Sequence, residues 1–446
     1  MKKVFFYLMA AAGLLALASC NEKAEPLFKV SVQIHVYNET GESVYATFPV
    51  TLASATATYN GVSNDDGVAV FSVPAGAYTA SVSFKMAGIN FNGSSKEFVV
   101  DAEFNPEEPV VIPLIASKGS ALIVKELYTG GCKKNDDSGN WINDKYVIIY
   151  NNSAEEVDAS RLCIGMGAIS NSQNQNYYPL NPDGIAEFEV NGWCPACNSI
   201  WWFQDGTEVK IPAYSQITVA ITGAIDHTVT YKKSVDLSGV DYVFYDKDSG
   251  YNAAQQYPAP AATIPTTHYM KTYRFGIGTA WSIGTNSAGL FLLAPEDGVD
   301  ITAWVKVAGN FDQRGNNGST NFGKVPIPWV LDAVDVWIEN DDTKYYSRFP
   351  KAINVGHLLG ETGSGYSHYR NVDKAATEAI AENAGKLVYG YDGAADSEHS
   401  DPSGIDAEAS IANGAKIVYM DTNNTPADFH NRKIASLKKP VAEVEE

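Results

Sequence analysis

The chain has 446 residues, a formal net charge of −20, 45% apolar residues, 25 Tyr and 8 Trp. So acidic a chain repels nucleic acid and anionic lipid surfaces, which argues against both as partners recognised by charge. Its apolar and aromatic content supports packed cores rather than disorder, and its length suffices for two or three domains.

Residues 1–19 read as a signal peptide. Lys2 and Lys3 supply a positive start, and Val4 to Leu17 is an apolar run too short to span a bilayer. Leu17-Ala18-Ser19-Cys20 then puts small residues before a cysteine, as in the bacterial lipobox. Cys20 is therefore expected to carry lipid and to attach the chain to a membrane. Residues 20–26 form a polar tether. Its acidic residues Glu22 and Glu25 resemble the surface-export signal of Bacteroidota lipoproteins, with Lys23 interrupting them. The resemblance implies an outer-membrane lipoprotein displayed at the surface.

Residues 27–117 read as a β-sandwich. Val30 to Tyr37 alternates apolar and polar residues, Ala46 to Ala53 is a second strand, and Val68–Val73 and Tyr78–Phe84 follow turns at Asn64–Gly67 and Pro74–Gly76. Asn64-Asp65-Asp66-Gly67 lacks the ligand spacing and distal glutamate of a calcium loop and reads as a tight turn. The order of these pieces resembles the carboxypeptidase-regulatory-like, or transthyretin-like, family, a seven-stranded type of sandwich that implies a non-catalytic spacer.

Residues 120–440 read as a second β domain, followed by a polar tail at 441–446. Ala121–Tyr128, Lys145–Ser153, Val157–Ile164, Val209–Ala220 and Ser287–Leu293 resemble, in order, the strands of the immunoglobulin-like lamin-tail family. In this sequence long insertions at 165–208, 225–286 and 305–365 separate them. Long loops on a rigid sandwich commonly carry binding function. Asp373 predicts a helix over Lys374–Ala384 that Gly385 ends, and a second short helix is expected at Ile405–Asn413. The fold class is thus mainly β, with two sandwiches and one or two short helices. The whole layout resembles a Bacteroidota outer-membrane lipoprotein family of unknown function. The resemblance implies proximity to a TonB-dependent transporter.

Few motifs carry chemistry. Cys132, Cys163, Cys194 and Cys197 are even in number, and an exported compartment permits pairing in any of three connectivities. Cys194-Pro195-Ala196-Cys197 has thioredoxin spacing without the βαβ context, so a structural disulfide is the expected use. Zinc held by four thiolates lacks a second C-x-x-C. Gly318–Lys324 matches seven positions of a phosphate loop, but Val325, Pro326 and Pro328 remove the magnesium ligand and the helix. His35, His227, His268, His357, His368, His399 and His430 are scattered, Asp341-Asp342 sits in a turn-like run, and no G-x-S-x-G elbow is present. No catalytic residue, metal or cofactor is expected.

The binding candidates are the aromatics of the insertions: Trp201, Trp202, Phe203, Trp281, Trp304, Trp329, Tyr269 and Tyr273. Flat rings stack on ligands and anchor interfaces, although a buried Trp is equally a core residue. The expectation is a non-enzymatic surface protein that binds a small molecule, glycan or metal complex as an accessory to nutrient uptake. An adhesion or structural role, and an exported hydrolase or redox protein using Cys194 and Cys197, are the alternatives.

Overall fold

Alternation over Phe28–Tyr37 sends Val30, Val32 and Ile34 to one face, where all three are fully buried. The structure is a computed structural model. It describes residues 26–37, 43–44, 47–54, 56–86, 89–95, 97–167, 181–182, 186–251, 257–276, 281, 283–314, 320–341, 345–390 and 401–438. The expected signal peptide 1–19, the lipid-bearing Cys20, tether residues 21–25, Gly318, Ser319, Asp342, His399 and the tail 441–446 lie outside the described residues. No helix among the described residues is long and apolar enough to cross a membrane.

The first sheet runs Ser43–Val44, Phe28–Tyr37, Val110–Lys118, Ile89–Ser94, Gly76–Met86, Pro49–Ala53, Thr58–Val62. Val68–Val73 adds to Phe28–Tyr37, and Phe98–Val100 to Gly76–Met86. Phe28–Tyr37 and Val110–Lys118 are parallel, with Val32 opposite Val110, so the unit's first and last strands lie side by side. Val50, Leu52, Val73, Ala80, Val82 and Ile112 close one core around them. The Asn64–Gly67 turn is held locally. The Asn64 side chain accepts from Asp66 and Val68 N–H at 3.1 and 2.9 Å, and Gly67 takes a left-handed φ of 73°.

The second sheet is larger. Its order is Leu358–Leu359, Val330–Trp337, Gly289–Leu293, Cys163–Gly167, Trp193–Trp202, Tyr269–Arg274, Tyr242–Phe244, Gln216–Ala220, Tyr146–Asn151, Leu122–Tyr128, Ser367–Arg370, Phe429–Arg432. The sheet wraps around a core that takes Val124, Val147, Ile164, Trp201, Val219, Leu290 and Val334 from strands along its length. Other clusters cover its outer faces. Cys163, Ile200, Trp202 and Phe291 belong to one, and Tyr146, Ile148 and Ala220 to another. Burial on both faces explains why Val147–Tyr150 and Leu290–Leu293 are apolar without alternation.

This corrects the reading of the insertions as loops. Residues 165–208 supply Trp193–Trp202, 225–286 supply Tyr242–Phe244 and Tyr269–Arg274, and 305–365 supply Phe311–Arg314, Thr320–Pro326 and Val330–Trp337. All join the one sheet. Pro195 belongs to this strand: it pairs with Lys324 on one edge and lies beyond the last pair made with Cys163–Gly167, Gly167 with Ala196, on the other. The phosphate-loop match likewise becomes strand at Thr320–Pro326.

The expected helix over Lys374–Ala384 is two short pieces instead. Asp373 caps Lys374–Glu378 through the Ala376 N–H at 3.0 Å, Ile380 is extended, and Ala381–Asn383 forms a separate 3₁₀ turn. The Asn383 side chain donates to Thr377 and Lys416 carbonyls at 2.8 and 2.7 Å, so tertiary bonds replace the helical ones between them. The second helix, Ala407–Ala412, is capped by Asp406.

Two buried charge systems brace the body. Pairing of Leu122–Tyr128 slips between Val124 and Glu126, which leaves Lys125 as an extra residue. Its ammonium is 2.7 Å from both Gln216 Oε1 and Glu408 Oε1, above the rings of Tyr150, Tyr369 and Tyr419. Arg370 is fully buried and contacts Asp332, with Asp428 at 3.6 Å and Asp421 at 4.0 Å. Asp428 Oδ1 accepts from the Thr422 hydroxyl at 2.7 Å. Thr422 in turn accepts from Ser83 Oγ at 2.7 Å and from Asn92 Nδ2. The first sheet thus meets the body through a polar contact that continues into the Arg370 cluster.

Candidate functional site

The strand Trp193–Trp202 places its aromatic end in two environments. Side chains alternate, so Trp201 enters the main core and stacks on Phe244 at 4.4 Å, while Trp202 turns to the outer face. Beyond Trp202 the chain turns at Gly206, whose φ is 78°. Gln204 Nε2 donates to the carbonyls of Thr266 and Tyr269, both at 2.7 Å, and pins that turn. Ser160 Oγ accepts from Val209 N–H at 2.9 Å and ties it to the neighbouring segment. A cleft of about 390 Å³ opens between residues 160–163, 202–208 and 295–302.

The cleft joins an aromatic wall to a charged rim. Trp202 and Phe203 form the wall, and Arg161, Asp205, Glu208 and Asp300 contribute charge. Arg161 reaches Asp297 Oδ1 at 2.5 Å and the Pro295 carbonyl at 2.8 Å. Asp300 accepts from Thr302 N–H at 2.8 Å and from its hydroxyl at 3.0 Å, bonds that hold its carboxyl below the usual range. The volume falls within the range of small-molecule sites, about 300–1,000 Å³.

Of the aromatic candidates, only Trp202 and Phe203 line this cleft. Trp201, Trp281 and Trp329 are core residues, which corrects their reading as loop-borne binding groups. Trp304 is half-buried against Trp329 at 5.4 Å, Tyr269 packs edge-on to Tyr245 at 5.3 Å, and Tyr273 is exposed on another strand. Sequence reading missed Arg161, Asp205, Glu208 and Asp300. The local signals were the Asp205-Gly206 and Asp297-Gly298 turns, which follow the two strands flanking Cys163–Gly167, a placement the sequence did not show.

The disulfide expectation is also corrected: Cys132, Cys163, Cys194 and Cys197 are free thiols. Cys194 and Cys197 share one extended strand, where a three-residue separation spans about 10 Å. That exceeds the roughly 7 Å a disulfide bridges, and the two side chains face opposite sides. Cys163 lies opposite Trp202, far along the strand from Cys194. Burial pushes the Cys197 thiol up to about 12 and Cys132 to about 11, and raises Cys163 and Cys194 as well. Exchange chemistry needs the opposite shift. In the native full chain, alkylation of Cys163, Cys194 and Cys197 is expected to be slow, and unfolding without reductant should expose all three. Mass mapping after maleimide treatment checks this; a Cys194–Cys197 cross-linked peptide would refute it.

The described residues form a mainly β protein built on two large sheets, the larger carrying a cleft lined by Trp202 and Phe203. Residues 214–392 match the family model described as "Protein of unknown function (DUF4876)". A solved structure of a DUF4876 family protein from Bacteroides thetaiotaomicron VPI-5482 is similar over 93% of this chain and 97% of that one, with 19% identity and a TM-score of 0.52. At that identity the likeness shows the fold alone. The major pilin subunit of Bacillus cereus aligns over 71% of this chain and 97% of its own at 10% identity, with a TM-score of 0.18 that carries no argument. No curated protein sequence matches the chain.

Proposed function

We propose that this chain is a non-enzymatic outer-membrane lipoprotein, anchored through Cys20 and displayed at the surface, whose body binds a small ligand for a nutrient-uptake system. A TonB-dependent transporter is the partner this reading calls for. The cleft beside Trp202 carries the proposal. It joins apolar wall, polar rim and adequate volume on turns held rigid by Gln204 and Ser160. Among the described residues no three His, Cys, Asp or Glu side chains group to hold a metal. A metal complex would therefore be gripped through its organic part.

The test is complementation of a deletion strain. Thr207→Trp fills the cleft from its rim and is expected to abolish growth on the nutrient the deletion cannot use, with protein level and membrane attachment unchanged. Cys20→Ser should release the protein into the soluble fraction and cause the same growth defect. Full growth of the Thr207→Trp strain would remove the cleft from the function.

A further inference from the structure

The charges around the cleft are unbalanced in a way that names a ligand class. Asp205, Glu208 and Asp300 line it, against the single cation Arg161. That cation is already engaged. Its NH1 lies 2.5 Å from Asp297, and its NH2 donates to the carbonyls of Pro295 and Glu296. Lys210 sits near Glu208 at 3.3 Å, but it is not a wall residue and is shared with Asp158 at 3.5 Å. An anion entering the cleft would meet Asp205, Asp300 and a Glu208 that Lys210 partly offsets, against an Arg161 already held by Asp297. A positively charged nitrogen would meet the same carboxylates, with Trp202 beside it as apolar surface.

Resting on the cleft as the binding site, we infer that it selects a ligand presenting an ammonium or guanidinium group and rejects anions. Each carboxylate at this degree of exposure contributes a few-fold to the binding constant, and the three together on the order of tenfold. The preference is therefore sensitive to salt.

An isosteric series separates charge from shape: benzylammonium, benzyl alcohol and benzoate, titrated calorimetrically into the full chain in neutral detergent. Benzylammonium is expected to bind about tenfold more tightly than the alcohol at low ionic strength, with benzoate weakest and the advantage shrinking in high salt. The doubly substituted chain Asp205→Asn, Glu208→Gln should remove most of the ammonium's advantage over the alcohol, leaving the few-fold preference that Asp300 supplies. Both residues are exposed, and an unchanged melting temperature verifies the fold. If the alcohol or benzoate binds as tightly as the ammonium, the charge selectivity is wrong while the cleft survives as a site. If none of the three binds, both readings fall.

Discussion

Arg370→Met is expected to cost the body about 3–5 kcal/mol at neutral pH, the penalty of removing one partner from a buried charge cluster. The Arg370 guanidinium donates to the Val124 carbonyl at 2.6 Å and the Met420 carbonyl at 2.9 Å, contacts Asp332, and lies over the Phe429 ring at 4.4 Å. Methionine fills much of the volume but takes the Arg370 cation away from the buried carboxylates of Asp332 and Asp428. Burial already pushes Asp332 and Asp428 above the usual carboxylate range despite Arg370. Without it both rise further, so the folded chain holds protons that the unfolded chain has shed. Stability is then regained as pH falls, and the deficit should be smaller at pH 5 than at pH 7.5. Urea unfolding at the two pH values measures this. A loss near 1 kcal/mol, or one independent of pH, would show that the cluster is not the brace described. Because Asp428 also holds Thr422, which meets Ser83 and Asn92, the first sheet should separate from the body more readily in this variant.

The second expectation has the opposite sign. Asp144→Asn should stabilise the protein at pH 7.5. Asp144 Oδ2 accepts from Ser234 at 2.5 Å and Tyr128 at 3.3 Å, while Oδ1 is buried without a partner. Burial pushes its carboxyl from 3.8 up to about 6. The folded pKa exceeds the unfolded one, so this group favours folding fully below about pH 4 and loses that contribution as pH rises through 6. At 1.36 kcal/mol per pH unit the cost above pH 6 reaches about 3 kcal/mol. Asparagine keeps the shape and the acceptor and removes the charge. Lys145 reduces the gain. Burial lowers it to about 8, and Asp144 partly offsets that. Thermal unfolding should show the variant more stable at pH 7.5 and equal to wild type near pH 4. No gain at pH 7.5, or an equal gain at both, would contradict the burial argument.

Much of the fold was legible because its signals are local. Val68–Val73 is a strand within the residues its alternation marks, and Asn64–Gly67 is the turn its Asx chemistry requires. Asp373 caps the helix that its position predicted. The end of the first helix was not legible, because Asn383 forsakes helical bonding for Lys416, a partner distant in sequence. The insertions were misread for a related reason. Trp193–Trp202 contains a proline and a C-x-x-C, and only its neighbours on both edges make it a central strand.

By itself the sequence determined part of the strand set of each large sheet, the turns of the first, the cap at Asp373 and the acidic balance that sets what the surface attracts. The tertiary structure alone decided which tryptophans are core, that the thiols stay apart, and that Asp205, Glu208 and Asp300 share one cleft. The reason is physical. Alternation and capping act over a few residues, whereas a strand's two faces acquire their meaning from the sheets and segments that cover them. Trp201 and Trp202 are adjacent in the chain, and one bond of pleat sends the first into the core and the second to the cleft.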